Sequence, residues 1–154
     1  MFQKILVPLD GSELAAKIIP QVIDLAKTHQ AEVTLVHVAY LEYGEASPGI
    51  MAEAVTQEAA RCAAVLGQIA RDMKAQGINV QVECLEGSPA REIINFAKAN
   101  NMDLIAMASH GKGGLAWMLG SVAEKVLSHA NIPVLIYRVL EVKLPDMETE
   151  YPIP

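Results

Sequence analysis

Five short apolar runs recur along the chain, and the stretches between them space their apolar residues as a helix does. The runs lie in KILVPLD, AEVTLVHVAY, INVQVECLE, MDLIAMA and IPVLIYRVLEV. Strands that alternate with helices are typical of a parallel sheet, because each crossover helix returns the chain to the same end of the sheet. The sequence therefore predicts an α/β fold, an open five-stranded parallel sheet with helices on both faces.

The chemistry of the last three runs indicates where each strand lies in the sheet. In the third run Val80, Val82 and Cys84 alternate with polar residues, which is typical of an edge strand with one wet face. The fourth run is apolar throughout, so we expect an interior strand. The fifth run is apolar on both faces, and an edge of that kind is covered most simply by pairing with a second copy.

Turn and cap residues mark the predicted ends of the helices. Ser12 is placed to cap the first helix, and Pro20 is expected to bend that helix because proline has no N–H to donate. Residues 40–51 show no periodicity and predict a long loop. A helical stripe from Ala52 predicts the next helix, which Gly77 is expected to end.

The composition favours one globular domain with an acidic tail. Of 154 residues, 52% are hydrophobic and 19% are charged, which suits a single domain at residues 1–140. Residues 141–154 combine proline with acidic residues, so we expect this tail to leave the core. A net charge of −6 with scattered Lys and Arg argues against nucleic acid and anionic membranes as partners.

Two further features of the sequence bear on the location of the protein and on the state of its cysteines. No apolar stretch reaches the roughly 20 residues that span a bilayer, and Pro8 and Asp10 interrupt the N-terminal run, so we predict a cytoplasmic protein. Cys62 and Cys84 lack metal-site spacing and lie on apolar-periodic segments. We therefore expect two buried free thiols, with no metal site and no disulfide.

The carboxyl ends of the first and fourth strands carry the residues suited to a ligand. Asp10 follows the first strand, and Ser109, His110 and Gly111 follow the fourth. Ligands of open parallel sheets bind at these ends, where the strand order reverses. A carboxylate suits a ribose, and exposed backbone amides suit a phosphate.

The glycine-rich stretch SHGKGGLAWMLGS, residues 109–121, joins the fourth strand to a helix expected near 121–130. Gly120 and Ser121 open this helix, whose N-terminal amides and partial positive charge favour an anion. Lys112 can add a positive charge. The alternatives stay open here: Ser121 as an ordinary cap, the glycines as loop residues and Lys112 as a solvated side chain.

The common nucleotide and catalytic motifs are absent from the sequence. Lys112 is followed by glycine rather than Ser or Thr, so no P-loop is present, and no GxGxxG, GxSxG or HExxH occurs. His37 lies in an apolar strand and is expected to be a satisfied core residue. His110 is the one histidine near the predicted site, and as a base it would need an orienting partner. We predict no catalytic residue and no metal ligand.

Four segments in order, KILVPLDGSELA, GSPAREIINFA, DLIAMASHG and LGSVAEKVLSHANIPVLIYR, resemble the universal stress protein family over nearly the whole chain. The resemblance implies a Rossmann-like fold of the adenine nucleotide alpha hydrolase-like type. It implies strand order 3-2-1-4-5, with the switch point between the first and fourth strands. It also implies a cytoplasmic homodimer joined through the last strand and acting on an unknown protein client in the stress response.

Members of the family that bind ATP or AMP carry GxxGx9G followed by Ser or Thr, and Mg²⁺ or Mn²⁺ can accompany the phosphates. Matching by position implies a ribose contact from Asp10 and a site floor at Met107. The other implied contacts are Pro8, Leu9 and the backbone of Val38 on the adenine side, and Gly111, Gly120, Ser121 and Val122 at the phosphates.

The sequence departs from that pattern at two places. Ala108 occupies the position of the first glycine, where a methyl group crowds a ligand that approaches the backbone. Between Gly111 and Gly120 there are eight residues rather than nine. The leading hypothesis is a dimer that binds ATP or AMP. The alternatives are a nucleotide-free interaction dimer and, more weakly supported, a slow ATPase.

Overall fold

The computed structural model describes residues 1–40, 47–111 and 118–140, which build one parallel sheet covered by helices. The strands are β1 Lys4–Pro8, β2 Glu32–Ala39, β3 Asn79–Glu86, β4 Leu104–Ala108 and β5 Val134–Tyr137. The helices are α1 Glu13–Ala16, α2 Ile19–His29, α3 Pro48–Ala75, α4 Pro89–Ala99 and α5 Ser121–His129. The strand order is β3-β2-β1-β4-β5 and every pairing is parallel. The predicted fold class and strand order are confirmed.

The alternating directions of side chains along β1 divide the core into two layers. Ile5 and Val7 pack with residues of α2 and α3 on one face of the sheet. Leu6 packs with residues of α4 and α5 on the other face. All three side chains are fully buried. The helices therefore cover both faces, as the alternation of strands and helices predicts.

The two edge strands are more exposed than the interior strands. Every residue of β4 is buried, whereas β5 and the part of β3 after Val80 have only exposed and half-buried residues. These positions confirm the third strand as an edge and the fourth as interior. The strand β5 ends at Tyr137 and is thus shorter than its apolar run.

Pro20 breaks the first predicted helix instead of bending it. The hydroxyl of Ser12 accepts the Ala15 N–H at 3.1 Å, as predicted for the cap. However, α1 ends at Ala16, and Pro20 lies in the first turn of the separate helix α2. Proline clashes with the carbonyl four residues earlier when it lies within a helix, but costs no hydrogen bond in a first turn. The chain therefore starts a new helix.

The helix α3 begins at Pro48, so the predicted loop over 40–51 is wrong for its last four residues. Residues 41–46 of that prediction lie outside the described residues. The buried side chains of α3 are Cys62, Leu66, Ala70 and Met73, and its first half, 48–61, has none. Although α3 is long, no helix in the described part of the chain is apolar enough over sufficient length to cross a membrane.

The two cysteines form a disulfide, so the prediction of free thiols is wrong. Cys62 of α3 and Cys84 of β3 have Cα atoms 6.2 Å apart, and their sulfur atoms are bonded. The helix α3 packs on the sheet beside β3, which brings together residues separated by 22 positions in the chain. A separation of 22 positions does not by itself indicate that two cysteines are bonded, because their distance depends on how α3 packs on β3.

Asp103 fixes the start of β4 against the start of β1. Its carboxylate accepts the Gln3 N–H at 2.8 Å and the Lys4 N–H at 3.2 Å. Hydrogen bonds to a charged acceptor are stronger than neutral ones, and the side chain is half-buried. This carboxylate thus joins the amino-terminal ends of β1 and β4, two neighbouring interior strands of the sheet.

Substitution of Asp103 is expected to destabilise the fold. Asp103→Ala leaves two backbone N–H groups without their acceptor and should lower the free energy of unfolding by about 1–2 kcal/mol, measured by urea denaturation. Asp72→Ala is the matched control, because Asp72 is exposed on α3 and bonds only the Gln68 side chain among described contacts. Equal losses for the two variants would contradict this role.

Candidate functional site

A cavity of about 490 Å³ opens at the carboxyl ends of β1, β2 and β4. It lies where the strand order reverses, since β1 pairs with β2 on one side and with β4 on the other. All ten residues singled out from the sequence line this one cavity. They are Pro8, Leu9, Asp10, Val38, Met107, Ala108, Gly111, Gly120, Ser121 and Val122.

The cavity also has lining residues beyond those predicted from the sequence. Val36 lies two positions before Val38 and therefore on the same face of β2, a signal that strand periodicity carries. Glu124 lies one helical turn after Gly120. Pro89 and Ile93 come from α4, and no sequence signal connects that helix to the site. Lys112 lies outside the described residues.

Asp10 is oriented by the start of α1. Its Oδ1 accepts the Ser12 N–H at 2.9 Å and the Ser12 hydroxyl at 2.6 Å. The Ser12 oxygen in turn accepts an amide of α1, so the carboxylate and the helix cap form one network. The side chain is half-buried at the cavity wall.

Gly111 allows the end of β4 to approach this carboxylate. A Cβ atom at position 111 would lie 1.9 Å from Oδ2 of Asp10, far inside van der Waals contact. Only glycine fits without a shift of the carboxylate or of the backbone. The structure thus brings together the ends of β1 and β4, as expected for a switch-point site.

The start of α5 is held against the end of β4. The Gly120 N–H donates to the Ser109 carbonyl at 2.8 Å, and a Cβ on Gly120 would lie 2.8 Å from the same oxygen. Gly120 is the N-cap and Ser121 is the first helical residue, so the alternative of Ser121 as the cap is wrong. First-turn amides of a helix have no acceptor within it, and those of Ser121, Val122 and Ala123 belong to cavity-lining residues.

His110 anchors the residues that precede α5. The ring is buried, and Nε2 contacts the Met118 carbonyl, which can only accept, so Nε2 carries the proton. The other nitrogen, Nδ1, then accepts the Ser109 hydroxyl at 2.8 Å. The Ser109 oxygen accepts the Val139 N–H at 3.3 Å. An orienting partner exists, but both nitrogens are engaged in protein contacts, which is a structural role rather than that of a general base.

His37 has both ring nitrogens engaged, as expected, but it lines the cavity wall on the β2 side, so the expectation that His110 is the one histidine at the site is wrong. Its Nδ1 lies 2.8 Å from the Leu9 carbonyl, and its Nε2 lies 3.1 Å from a carboxylate oxygen of Glu58 on α3. The half-buried imidazole therefore links β1, β2 and α3 beside the cavity.

The wall of the cavity combines apolar side chains with carboxylates. Val36, Val38, Ile93 and Met107 supply an apolar region. Among the described lining residues the carboxylates are Asp10 and Glu124, and none is Lys or Arg. The described ranges also hold no cluster of three or more side chains that could bind a metal ion. The apolar region suits the apolar body of a ligand, the carboxylates suit hydroxyl groups, and the first-turn amides of α5 suit an anionic group.

Comparisons with known proteins agree with this architecture. The family model described as the universal stress protein family matches residues 1–138. Universal stress protein YxiE of Bacillus subtilis is 34% identical over 148 residues, covering 90% of this chain and 100% of YxiE. The structure of MJ0577 of Methanocaldococcus jannaschii has a TM-score of 0.84 at 29% identity, covering 92% of this chain and 99% of that one.

A more distant relative has the same fold. The structure of the Arabidopsis thaliana family protein At3g01520, with AMP bound, has a TM-score of 0.68 at 18% identity and covers 94% of this chain and 96% of that one. The family model spans both strands of the switch point and the whole of α5. On the extent of this match, the chain belongs to the universal stress protein family.

Proposed function

We propose that the protein acts in the stress response by binding an adenine nucleotide, ATP or AMP, in the switch-point cavity. The observation that carries this proposal is the shared cavity of the Asp10 carboxylate and the first turn of α5 at Gly120 and Ser121. The structural relative with AMP bound supports the same ligand class. The cavity volume of about 490 Å³ lies within the range of small-molecule sites.

The walls suggest how the nucleotide lies. The adenine packs against the apolar region beside Pro8, Leu9 and Val38, above Met107. The ribose hydroxyls donate to the Asp10 carboxylate, which α1 holds in place. The phosphates meet the glycines and the helix start, at Gly111, Gly120, Ser121 and Val122.

A divalent cation fits the charge of this arrangement. Phosphates next to the carboxylates of Asp10 and Glu124 meet repulsion, and no Lys or Arg lines the described wall. Mg²⁺ or Mn²⁺ bound to the phosphates supplies the missing positive charge, and both ions prefer oxygen ligands. We therefore propose that the nucleotide enters with its metal ion.

The shortened glycine motif is compatible with this proposal because its two ends are fixed. Gly111 packs on Asp10, and Met118 and Gly120 are held by His110 and by the Ser109 carbonyl.

The buried methyl group of Ala108 also lines the cavity and favours the alternative, a nucleotide-free interaction dimer. Isothermal titration with adenine nucleotides distinguishes the two hypotheses. The engagement of His110 favours a regulator over a slow ATPase.

The proposal extends to the assembly and its setting. We propose a cytoplasmic homodimer joined through β5, acting on a protein client. The strand β5 lies at the edge of the sheet, and 41% of Leu135 is exposed there. An apolar edge strand is a ready template for pairing with another chain.

Ser121→Ala is expected to weaken phosphate-dependent binding. Loss of one hydroxyl hydrogen bond should cost about 1 kcal/mol, or roughly fivefold, in the affinity for ATP, while the affinity for adenosine stays the same. Isothermal titration with ATP, AMP and adenosine measures both. Ser128→Ala, at the exposed far end of the same helix, is the control. No heat from the unaltered protein at millimolar nucleotide would instead favour the nucleotide-free dimer.

Gly111→Ala tests the Asp10 contact at the ribose. The added methyl group must displace the carboxylate, so the affinity for adenosine itself should fall by about tenfold, as expected for lost bonds to a charged group. Gly49→Ala is the matched control, because its Cβ would meet no atom within 4 Å. A folded Gly111→Ala variant with unchanged adenosine affinity would refute the ribose assignment.

Leu135→Lys tests the dimer. A charge on the edge strand should shift the protein from dimer to monomer in gel filtration with light scattering, because a lysine is costly to bury in an apolar strand pairing. Ile50→Lys, at an exposed position of α3, should leave the dimer intact. A monomeric unaltered protein would contradict the proposed assembly.

A further inference from the structure

The bond between Cys62 and Cys84 joins a helix to an edge strand at a point open to solvent on one side. Cys84 is exposed on β3, whereas Cys62 is 4% exposed beneath α3. Thiol–disulfide exchange requires a thiolate to reach a sulfur atom, so exposure selects which sulfur is attacked. We propose that this pair is a reversible thiol–disulfide site, which reacts with a small thiol at Cys84 and controls the docking of α3.

The chemistry balances with two equivalents of a small thiol such as glutathione. The first thiolate attacks Sγ of Cys84, breaks the bond to Cys62 and forms a mixed disulfide, while the Cys62 sulfur leaves as a thiolate and takes up a proton. A second thiol attacks the mixed disulfide on the sulfur of the small molecule. This step releases Cys84 as a thiol and joins the two small molecules in a disulfide, which is oxidised glutathione when the thiol is glutathione. Two electrons pass from the two small thiols to the protein.

Because of its position along α3, the disulfide bond controls whether the first half of this helix stays packed on the sheet. In the first half of the helix, residues 48–61, no side chain is buried, so Cys62 is the first buried anchor of α3. One turn earlier, Glu58 contacts His37 of β2. His37 lies directly opposite Cys84 in the pairing of β2 with β3. The covalent bond and the His37–Glu58 contact therefore hold the same part of the helix to the same place on the sheet.

The same contacts connect α3 to the ligand cavity. His37 bonds the Leu9 carbonyl, and both residues line the cavity. His37 and Asp10 also line a second, smaller cavity together with Glu58, Arg61 and Cys62. When the disulfide opens, the first half of α3 loses its covalent anchor, and the support behind the Leu9–Asp10 wall weakens.

Thiol labelling of the full-length protein tests the site itself. Protein prepared without reductant should take up no alkylating reagent, and folded protein treated with millimolar glutathione should take up two equivalents, counted by mass spectrometry. In Cys62→Ala, oxidised glutathione should form one adduct at Cys84; in Cys84→Ser, the buried Cys62 should resist the same treatment. Two free thiols before reduction, or none after it, would overturn the proposal.

Hydrogen exchange tests the docking of α3 without any nucleotide. Reduction should cause loss of amide protection across residues 48–61, while α4 stays protected as an internal reference. Cys84→Ser should match the reduced protein and should not respond to glutathione. Equal protection in the oxidised and reduced proteins would overturn control of α3. Because this measurement needs no ligand, it stands or falls separately from nucleotide binding.

Discussion

The approach of a carboxylate to a residue without a side chain is the constraint on which the site depends. Asp10 and Gly111 meet because β1 and β4 lie side by side although a large part of the chain separates them. These two strands are neighbours only because the strand order reverses at β1: β2 and β3 lie on one side of β1, and β4 and β5 lie on the other. The contact therefore marks the location of the cavity, which opens between the carboxyl ends of β1 and β4.

Ser109 connects this contact to the rest of the fold. It is fully buried, its N–H donates to the Tyr137 carbonyl of β5, and its own carbonyl accepts the Gly120 N–H at the start of α5. Its hydroxyl completes the link to His110 and Val139. One residue thus fixes the edge strand, the last helix and the end of β4 relative to one another. Through these hydrogen bonds Ser109 links β5 to the start of α5, which lines the cavity.

Much of the fold could be predicted from local patterns, because strand and helix periodicities reflect which face of each element is buried. The edge position of β3 followed from the alternation at Val80 and Val82, and the cap at Ser12 followed from its residue type. The ten site residues followed from two strand ends, one helix start and the family resemblance. Their convergence on one cavity depends on the strand order.

Two of the failures have a common physical origin in contacts between distant segments. The Cys62–Cys84 bond depends on how α3 crosses β3, and the cavity walls from α4 depend on its packing over the strand ends. Neither contact leaves a local trace in the sequence. The separation of α1 from α2 has a local cause, because the steric clash of Pro20 ends one helix and starts another rather than bending a single helix.

The two edges of the sheet differ in polarity, and this difference bears on how the proposed dimer can assemble. The edge at β3 presents exposed Gln81 and Glu86 and is fastened to α3 through Cys84, whereas the edge at β5 is short and apolar. A sheet in which both edge strands can pair with another chain can extend into an open fibre. A sheet in which only one edge strand can pair forms a single pairing and then has no such edge left. A pair formed through β5, as proposed above, would therefore leave no apolar edge among the described strands for a third chain.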